Sequence, residues 1–282
     1  MKSIRIIPRL DIKGPNLVKG IHFEGLRVLG APEDFAAYYY MNGADELMYV
    51  DVVASLYERN SLHDIIKRTA KKIFIPLTVS GGIRTIDDIR AALAAGADKV
   101  SLNTGALKNP EIIKKASRVF GSSTIVVTIE AIKQSDGKYL AYTDNGREYT
   151  GVEVLSWARD VEKLGAGEIV ISSVDQEGTG TGYDIKLTEM ISTAVNIPVI
   201  AHGGAGKLED ITDVIRNGCT DAVSIASILH YEFVENNKTR NKHMEEGNIE
   251  FLKGGKKFLK IKPVTINKIK NSLHQNKIFC RH

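Results

Sequence analysis

Asp11 and Glu130 are the residues whose type and placement first suggest chemistry. Asp11 ends the apolar run "RIIPRLD" and Glu130 ends "TIVVTIE", and an Ile-Lys step follows closely in each case (Ile12-Lys13 and Ile132-Lys133). Two carboxylates facing one pocket suit general acid–base catalysis; a turn cap at Asp11 and a solvated Glu130 would be the bland alternative. A second device also occurs twice. "VSGGIRTIDD" runs from Val79 to Asp88, and "AHGGAGKLED" from Ala201 to Asp210. Gly-Gly behind a strand lets the backbone approach an anion closely, and the helix that follows offers free N–H groups and a positive dipole end. One such pair is often only a tight turn. Here each is followed, one unit later, by a short polar turn, Asn103-Thr104 or Ala226-Ser227. Two phosphate sites are predicted, Gly81, Gly82, Asn103 and Thr104 at one and Gly203, Gly204, Ala226 and Ser227 at the other. A ligand phosphorylated at both ends would span them. His202, beside the second Gly-Gly, either touches that phosphate or is incidental to the loop.

Other chemistries find no support. The seven histidines are scattered without ligand spacing, and no Ser-His-Asp arrangement is evident. Cys219 and Cys280 form neither a disulfide framework nor a metal motif. No metal and no cofactor are expected. No apolar run approaches the roughly 18 residues of a membrane span, and the start does not read as a signal peptide. A cytoplasmic, non-membrane protein is the expectation. The formal net charge of +4 hides an asymmetry: from Glu235 onward there are 12 Lys/Arg against 4 Asp/Glu, leaving 26 against 30 elsewhere. The basic segment lacks interleaved aromatics, so it reads as a solvated helix and loop and no nucleic-acid partner is expected.

The elements that must position these residues alternate along the chain. Eight strand-like runs are expected at Ile4–Ile12, Glu46–Val53, Ile73–Val79, Lys99–Asn103, Thr124–Glu130, Glu168–Val174, Pro198–His202 and Ala222–Ser227. Most are continuously apolar, as strands buried on both faces are. Helical patterns such as "TIDDIRAALAAGA" and "LEDITDVIRNG" lie between them. Eight βα units predict an α/β fold, a (β/α)₈ TIM barrel in a single domain over 1–282, with a doubly wound open sheet as the structural runner-up. "GKYLAYTDNGREYT" predicts a hairpin turning at Asp144-Asn145-Gly146, on the face where strands end. Gly203 follows Gly81 by 122 residues, and Glu130 follows Asp11 by 119. The chain therefore reads as two pseudo-symmetric half-barrels, with Asp11 and Glu130 across one pocket. Residues 232–262 read as an insertion before the last helix, "TINKIKNSLHQNK".

The stretches "RIIPRLDIK…LVKG", "GADEL", "IPLTVSGGIR", "AGADKVSLNT", "GAGEIVISSVDQEGT" and "IPVIAHGGAGKLED" resemble the cyclase subunits of imidazole glycerol phosphate synthase, from histidine biosynthesis. The likeness covers residues 4 to about 231. It implies a lyase that adds ammonia to a bis-phosphorylated aminoimidazole carboxamide ribonucleotide and closes the imidazole ring. Imidazole glycerol phosphate and an aminoimidazole carboxamide ribotide are released. It also implies a heterodimer with a glutaminase subunit, whose ammonia passes through the barrel. By resemblance Asp11 and Glu130 are the acid–base pair, and Lys19 lies in a long first loop that closes over substrate. Ser172, Asp175, Glu177 and Gly178 join the substrate-binding set, and Arg5, Glu46, Lys99 and Glu168 form a charged ammonia gate at the barrel floor. Glu130 and Glu177 stand where the family usually has aspartate, Arg9 where it has a small residue, and His202 where it has a small hydroxyl residue. Such changes imply either a compensated site or a different acceptor, as in a paralogue delivering ammonia for amidination of a sugar in a surface-glycan pathway; a reading from another class is a non-catalytic scaffold that activates a glutaminase.

Overall fold

The computed structural model describes residues 3–54, 62–236 and 260–281. Eight parallel strands close on themselves: β1 (Arg5–Lys13), β4 (Leu47–Asp51), β5 (Leu77–Ser80), β6 (Lys99–Leu102), β7 (Ile125–Lys133), β10 (Glu168–Ser173), β11 (Val199–His202) and β12 (Ala222–Ile225). β7 pairs with β10, and β12 returns to β1, which completes the ring. All eight expected strands are present, several starting later than their apolar runs; the run from Ile73 becomes strand only at Leu77. Helices cover the outside, so each strand packs on two faces. β10 is buried at every position, its residues alternating between lumen and helices. Ile7, Met48, Val126, Val170, Ile200 and Ala222 fill the lumen, while two larger apolar clusters join the strands to the helices.

Two antiparallel hairpins rise from the mouth at equivalent places. β2 (Asn16–Ile21) and β3 (Glu24–Gly30) follow β1, and β8 (Tyr139–Thr143) and β9 (Glu148–Glu153) follow β7. The second is the predicted one; its tip residues Asp144, Asn145 and Gly146 all have positive φ. The first lies where the sequence suggested only a long loop. Strand-then-hairpin thus recurs in both halves.

Local chemistry sets the helices behind the Gly-Gly turns. Before α3 (Ile86–Ala95), the Thr85 hydroxyl accepts from the Asp88 N–H at 3.1 Å and the Asp88 carboxylate accepts from the Thr85 N–H at 2.9 Å. Before α8 (Leu208–Asn217), Asp210 accepts from the N–H groups of Gly206 and Lys207 at 2.9 and 3.0 Å. The C-terminal helix α10 (Ile266–Gln275) anchors to the start of β1: Lys270 reaches Asp45 at 2.9 Å, and Asp45 accepts from the Ile6 N–H at 2.7 Å. Lys270 is therefore buried rather than solvated. Most of the suggested insertion, residues 237–259, lies outside the described residues.

Candidate active site

Both Gly-Gly turns lie at the mouth, each beside a cavity. Gly81, Gly82, Asn103 and Thr104 line one cavity, with Arg9, Asp51, Arg84, Glu130, Asp144 and Asn145 around them. Gly203, Gly204, Ala226 and Ser227 line a second, together with Glu177, Gly178, His202 and Ser224. Glycine is required by geometry as well as by approach to a ligand. Gly81 and Gly204 have φ of 100° and 107°; a Cβ on Gly81 would meet the Asp51 carbonyl oxygen at 2.5 Å, and one on Gly204 would run into the Gly182 carbonyl. Ser227 opens α9 (Ser227–Asn236), presenting a helix N-terminus to the second cavity. Asn103 Oδ1, Ser172 Oγ and Ser224 Oγ are buried without a protein hydrogen-bond partner.

Between the two cavities sits a buried ionic network. The Arg9 guanidinium donates through Nε to Asp11 Oδ1 at 2.8 Å and lies 5.2 Å from the centre of the Phe23 ring. Lys19 Nζ donates to Glu177 and lies 3.8 Å from Asp11 Oδ2. His202 Nε2 stands 2.9 Å from the other oxygen of Glu177, and its Nδ1 is 3.2 Å from the Ser224 carbonyl. Burial opposes the charge on Glu177, but Lys19, His202 and Arg9 prevail and hold its pKa well below the usual carboxylate range. Burial, then Arg9, pushes the His202 pKa down against the pull of Glu177.

Glu130 behaves differently. Desolvation raises its pKa to about 7, although Arg9, the Gly146 N–H and Asn103 all favour its charged form. The Gly146 N–H donates to Glu130 Oε2 at 2.9 Å, so the tip of the second hairpin holds this carboxylate. Asn145 Nδ2 donates to the Val52 carbonyl at 2.6 Å, pinning the tip across the mouth. A carboxyl poised near neutrality is suited to giving and taking protons. The first hairpin is seated too: the His22 N–H donates to the Glu177 carbonyl at 2.8 Å, and His22 Nδ1 is 2.7 Å from the Val174 carbonyl oxygen.

The predicted floor residues meet at the opposite end. Arg5 Nη1 is 2.6 Å from Glu46 and 2.8 Å from Glu168, and Lys99 Nζ is 3.1 and 3.2 Å from the same two carboxylates, closing a ring of alternating charge. Ser172 is buried on β10, paired in register with Glu130. Asp175 stands apart from both cavities, exposed, its carboxylate accepting from the Lys133 N–H at 2.8 Å. Sequence reading passed over Asp51, Arg84, Asp144 and Asn145 as site residues and gave Arg9 no role. Strand alternation carried a signal for Arg9, because Arg5, Arg9 and Asp11 fall on one face of β1. Among the described residues no three His, Cys, Asp or Glu side chains gather where they could hold a metal ion, and no helix is long and apolar enough to cross a membrane.

Comparison with known proteins places this geometry. Residues 5–235 match the family model described as histidine biosynthesis protein. The HisF subunit of imidazole glycerol phosphate synthase from Legionella pneumophila is 56% identical over 210 residues, which cover 74% of this chain and 99% of that relative. The HisF subunit from Alkaliphilus metalliredigens is 48% identical over 83% of this chain and 93% of its own length. That from Methanococcus vannielii is 45% identical over 88% of this chain and 98% of its own length. With the barrel, its paired turns and this extent of identity, the chain belongs to the histidine biosynthesis protein family, among the HisF subunits of imidazole glycerol phosphate synthase.

Proposed function

We propose that the protein is an ammonia-dependent cyclase–lyase. It adds ammonia to a bis-phosphorylated aminoimidazole carboxamide ribonucleotide, closes the imidazole ring, and releases imidazole glycerol phosphate and an aminoimidazole carboxamide ribotide. The observation carrying this reading is the pair of glycine-lined cavities, each backed by a helix, with buried carboxylates between them. One phosphate seats at Gly81-Gly82 with Asn103-Thr104, the other at Gly203-Gly204 with Ala226-Ser227. Asp11 and Glu130 move protons during ammonia addition, ring closure and cleavage; Lys19, Ser172, Glu177 and Gly178 position the ligand. Ammonia comes from a glutaminase subunit docked at the floor and enters past Arg5, Glu46, Lys99 and Glu168. The test is kcat/KM for the bis-phosphorylated precursor with ammonium salt: a value of about 10⁴ M⁻¹s⁻¹ or more supports the reading. Absence of turnover in a folded protein that still stimulates a glutaminase would favour the scaffold.

A second reading, ammonia delivery for amidination of a sugar, draws support from one feature. Arg9, Lys19, Glu177 and His202 crowd the space that a ligand reaching both cavities must cross. Under that reading the wild type turns over the imidazole precursor poorly, and Glu130→Asp, alone or with Glu177→Asp, raises the rate. Under the first reading Glu130→Asp leaves it unchanged or modestly lower.

A further inference from the structure

We propose that Arg9 is a positioning residue for the acid–base pair, one guanidinium orienting the Asp11 carboxylate while supporting the ionised form of Glu130. The inference rests on the proposed reaction and adds a residue to it. Three observations carry it. First, Arg9 is 2% exposed yet charged, and its Nε–H···Oδ1 bond of 2.8 Å is to the carboxylate two positions along the same strand. A buried guanidinium persists only with charge partners. Burial opposes its charge, but Asp11, Glu177 and Glu130 together outweigh that penalty. Second, Arg9 lines the cavity that holds Glu130, so its charge faces that carboxylate as well. Third, Phe23 from the first hairpin is buried with its ring over the guanidinium, which fixes Arg9 from above.

The groups around Glu130 set the direction of the effect. Arg9 from β1, the Gly146 N–H from the second hairpin and Asn103 from the end of β6 stabilise its anion; burial and Asp144 oppose it. Removing the Arg9 charge leaves burial and Asp144 with less opposition, so Glu130 titrates at higher pH. Whichever way its proton travels, the limb of the pH–rate profile that reports Glu130 must move alkaline. An opposite charge at close range shifts a carboxylate by roughly 1–3 units, so a displacement of about one unit is expected.

The experiment pairs two readouts on the full chain. Carboxyl ¹³C NMR with labelled glutamate, the Glu130 signal assigned by its loss in Glu130→Gln, follows the titration without any substrate. The pH profile of ammonium-driven kcat follows the reaction. Arg9→Met should move both midpoints up by about one unit and lower kcat at pH 7 by about tenfold or more. Arg9→Lys should restore the NMR midpoint towards wild type while kcat stays reduced, because a point charge replaces the fork that orients Asp11. If Arg9→Met fails to fold, Arg9→Gln, which keeps a donor for Asp11 but no charge, is expected to show the same alkaline shift. A Glu130 midpoint that is unchanged in a folded neutral variant overturns the proposal. A wild type inactive on the precursor overturns the functional reading instead, and the NMR titration still decides the role of Arg9.

Discussion

Glu130 couples the chemistry of the site to the stability of the fold. Its folded-state pKa, about 7, lies above the ordinary carboxylate value of 4.5. The native protein therefore holds this proton more tightly than the unfolded chain. The resulting stabilisation is full below about pH 4.5 and is lost as pH rises through about 7. Glu130→Gln, which cannot ionise, should be more stable than wild type at pH 8, by roughly 3 kcal/mol, with the difference vanishing near pH 4. Thermal unfolding of both proteins across that range checks the sign; a Glu130→Gln variant less stable at pH 8 would show that Glu130 is not strained by ionising. Asp11→Asn keeps the size of the side chain but removes its charge and proton-accepting capacity. It should lower ammonium-driven turnover by about 10²–10⁴-fold without unfolding the barrel; activity within tenfold of wild type would remove Asp11 from the mechanism. Asp11, Glu130 and the glycine turns were legible in the sequence because they end apolar runs and recur at nearly the same spacing, 119 and 122 residues. The grouping of Arg9, Lys19, Glu177 and His202 was not, because three strands and a loop bring them together and no local pattern records that register.

The two hairpins show why some elements announce themselves and others do not. The tip of the second is Asp144-Asn145-Gly146, residue types that tolerate positive φ, between alternating strands. The first turns at His22 and Phe23, with φ of 51° and 59°; histidine enters that region more readily than most residues, but a bulky phenylalanine rarely does, so the pair carries no clear turn signal. Tertiary contacts hold them there: two hydrogen bonds at His22 and the burial of Phe23 against Arg9. The eight barrel strands were readable from continuous apolar runs, but their starts were not, since apolar residues before Leu77 pack in a loop rather than a ladder. Helix termini make a sharper test. Thr85→Ala removes the hydroxyl that caps α3 and should cost about 1 kcal/mol by denaturant unfolding. Gly204→Ala drives a methyl group into the Gly182 carbonyl at a left-handed backbone position. It should weaken phosphate binding at the second cavity while leaving the first intact, as soaked crystals or calorimetry would reveal; equal loss at both would mean the loops do not act as separate sites.

At the scale of the whole molecule, one end of the barrel carries the charged ring and the other the carboxylates, with an apolar lumen between them. Lys99 begins β6 at the floor, remote from the mouth. Lys99→Ala should therefore uncouple glutamine hydrolysis by the partner from ring closure while ammonium-driven turnover is largely kept. Equal loss of both activities in a folded variant would refute a gating role. The two halves are also joined above the mouth. Arg147, just beyond the tip of the second hairpin, reaches Glu24, just beyond the tip of the first, at 2.8 Å. That pair is solvent-accessible, and such pairs contribute about 0.2–1 kcal/mol, or at most a roughly fivefold bias toward the joined arrangement. A latch of this kind has a kinetic signature. For the doubly phosphorylated ligand proposed above, ionic strength should slow association by screening its attraction to the mouth, while the same ions loosen the latch. Because an exposed pair is weak, screening of the ligand should dominate in wild type and its on-rate should fall with salt. The double variant Glu24→Gln with Arg147→Gln, which removes the pair without changing the net charge of the mouth, should bind faster than wild type in dilute buffer, by up to about fivefold, and the two on-rates should converge as salt approaches about 1 M.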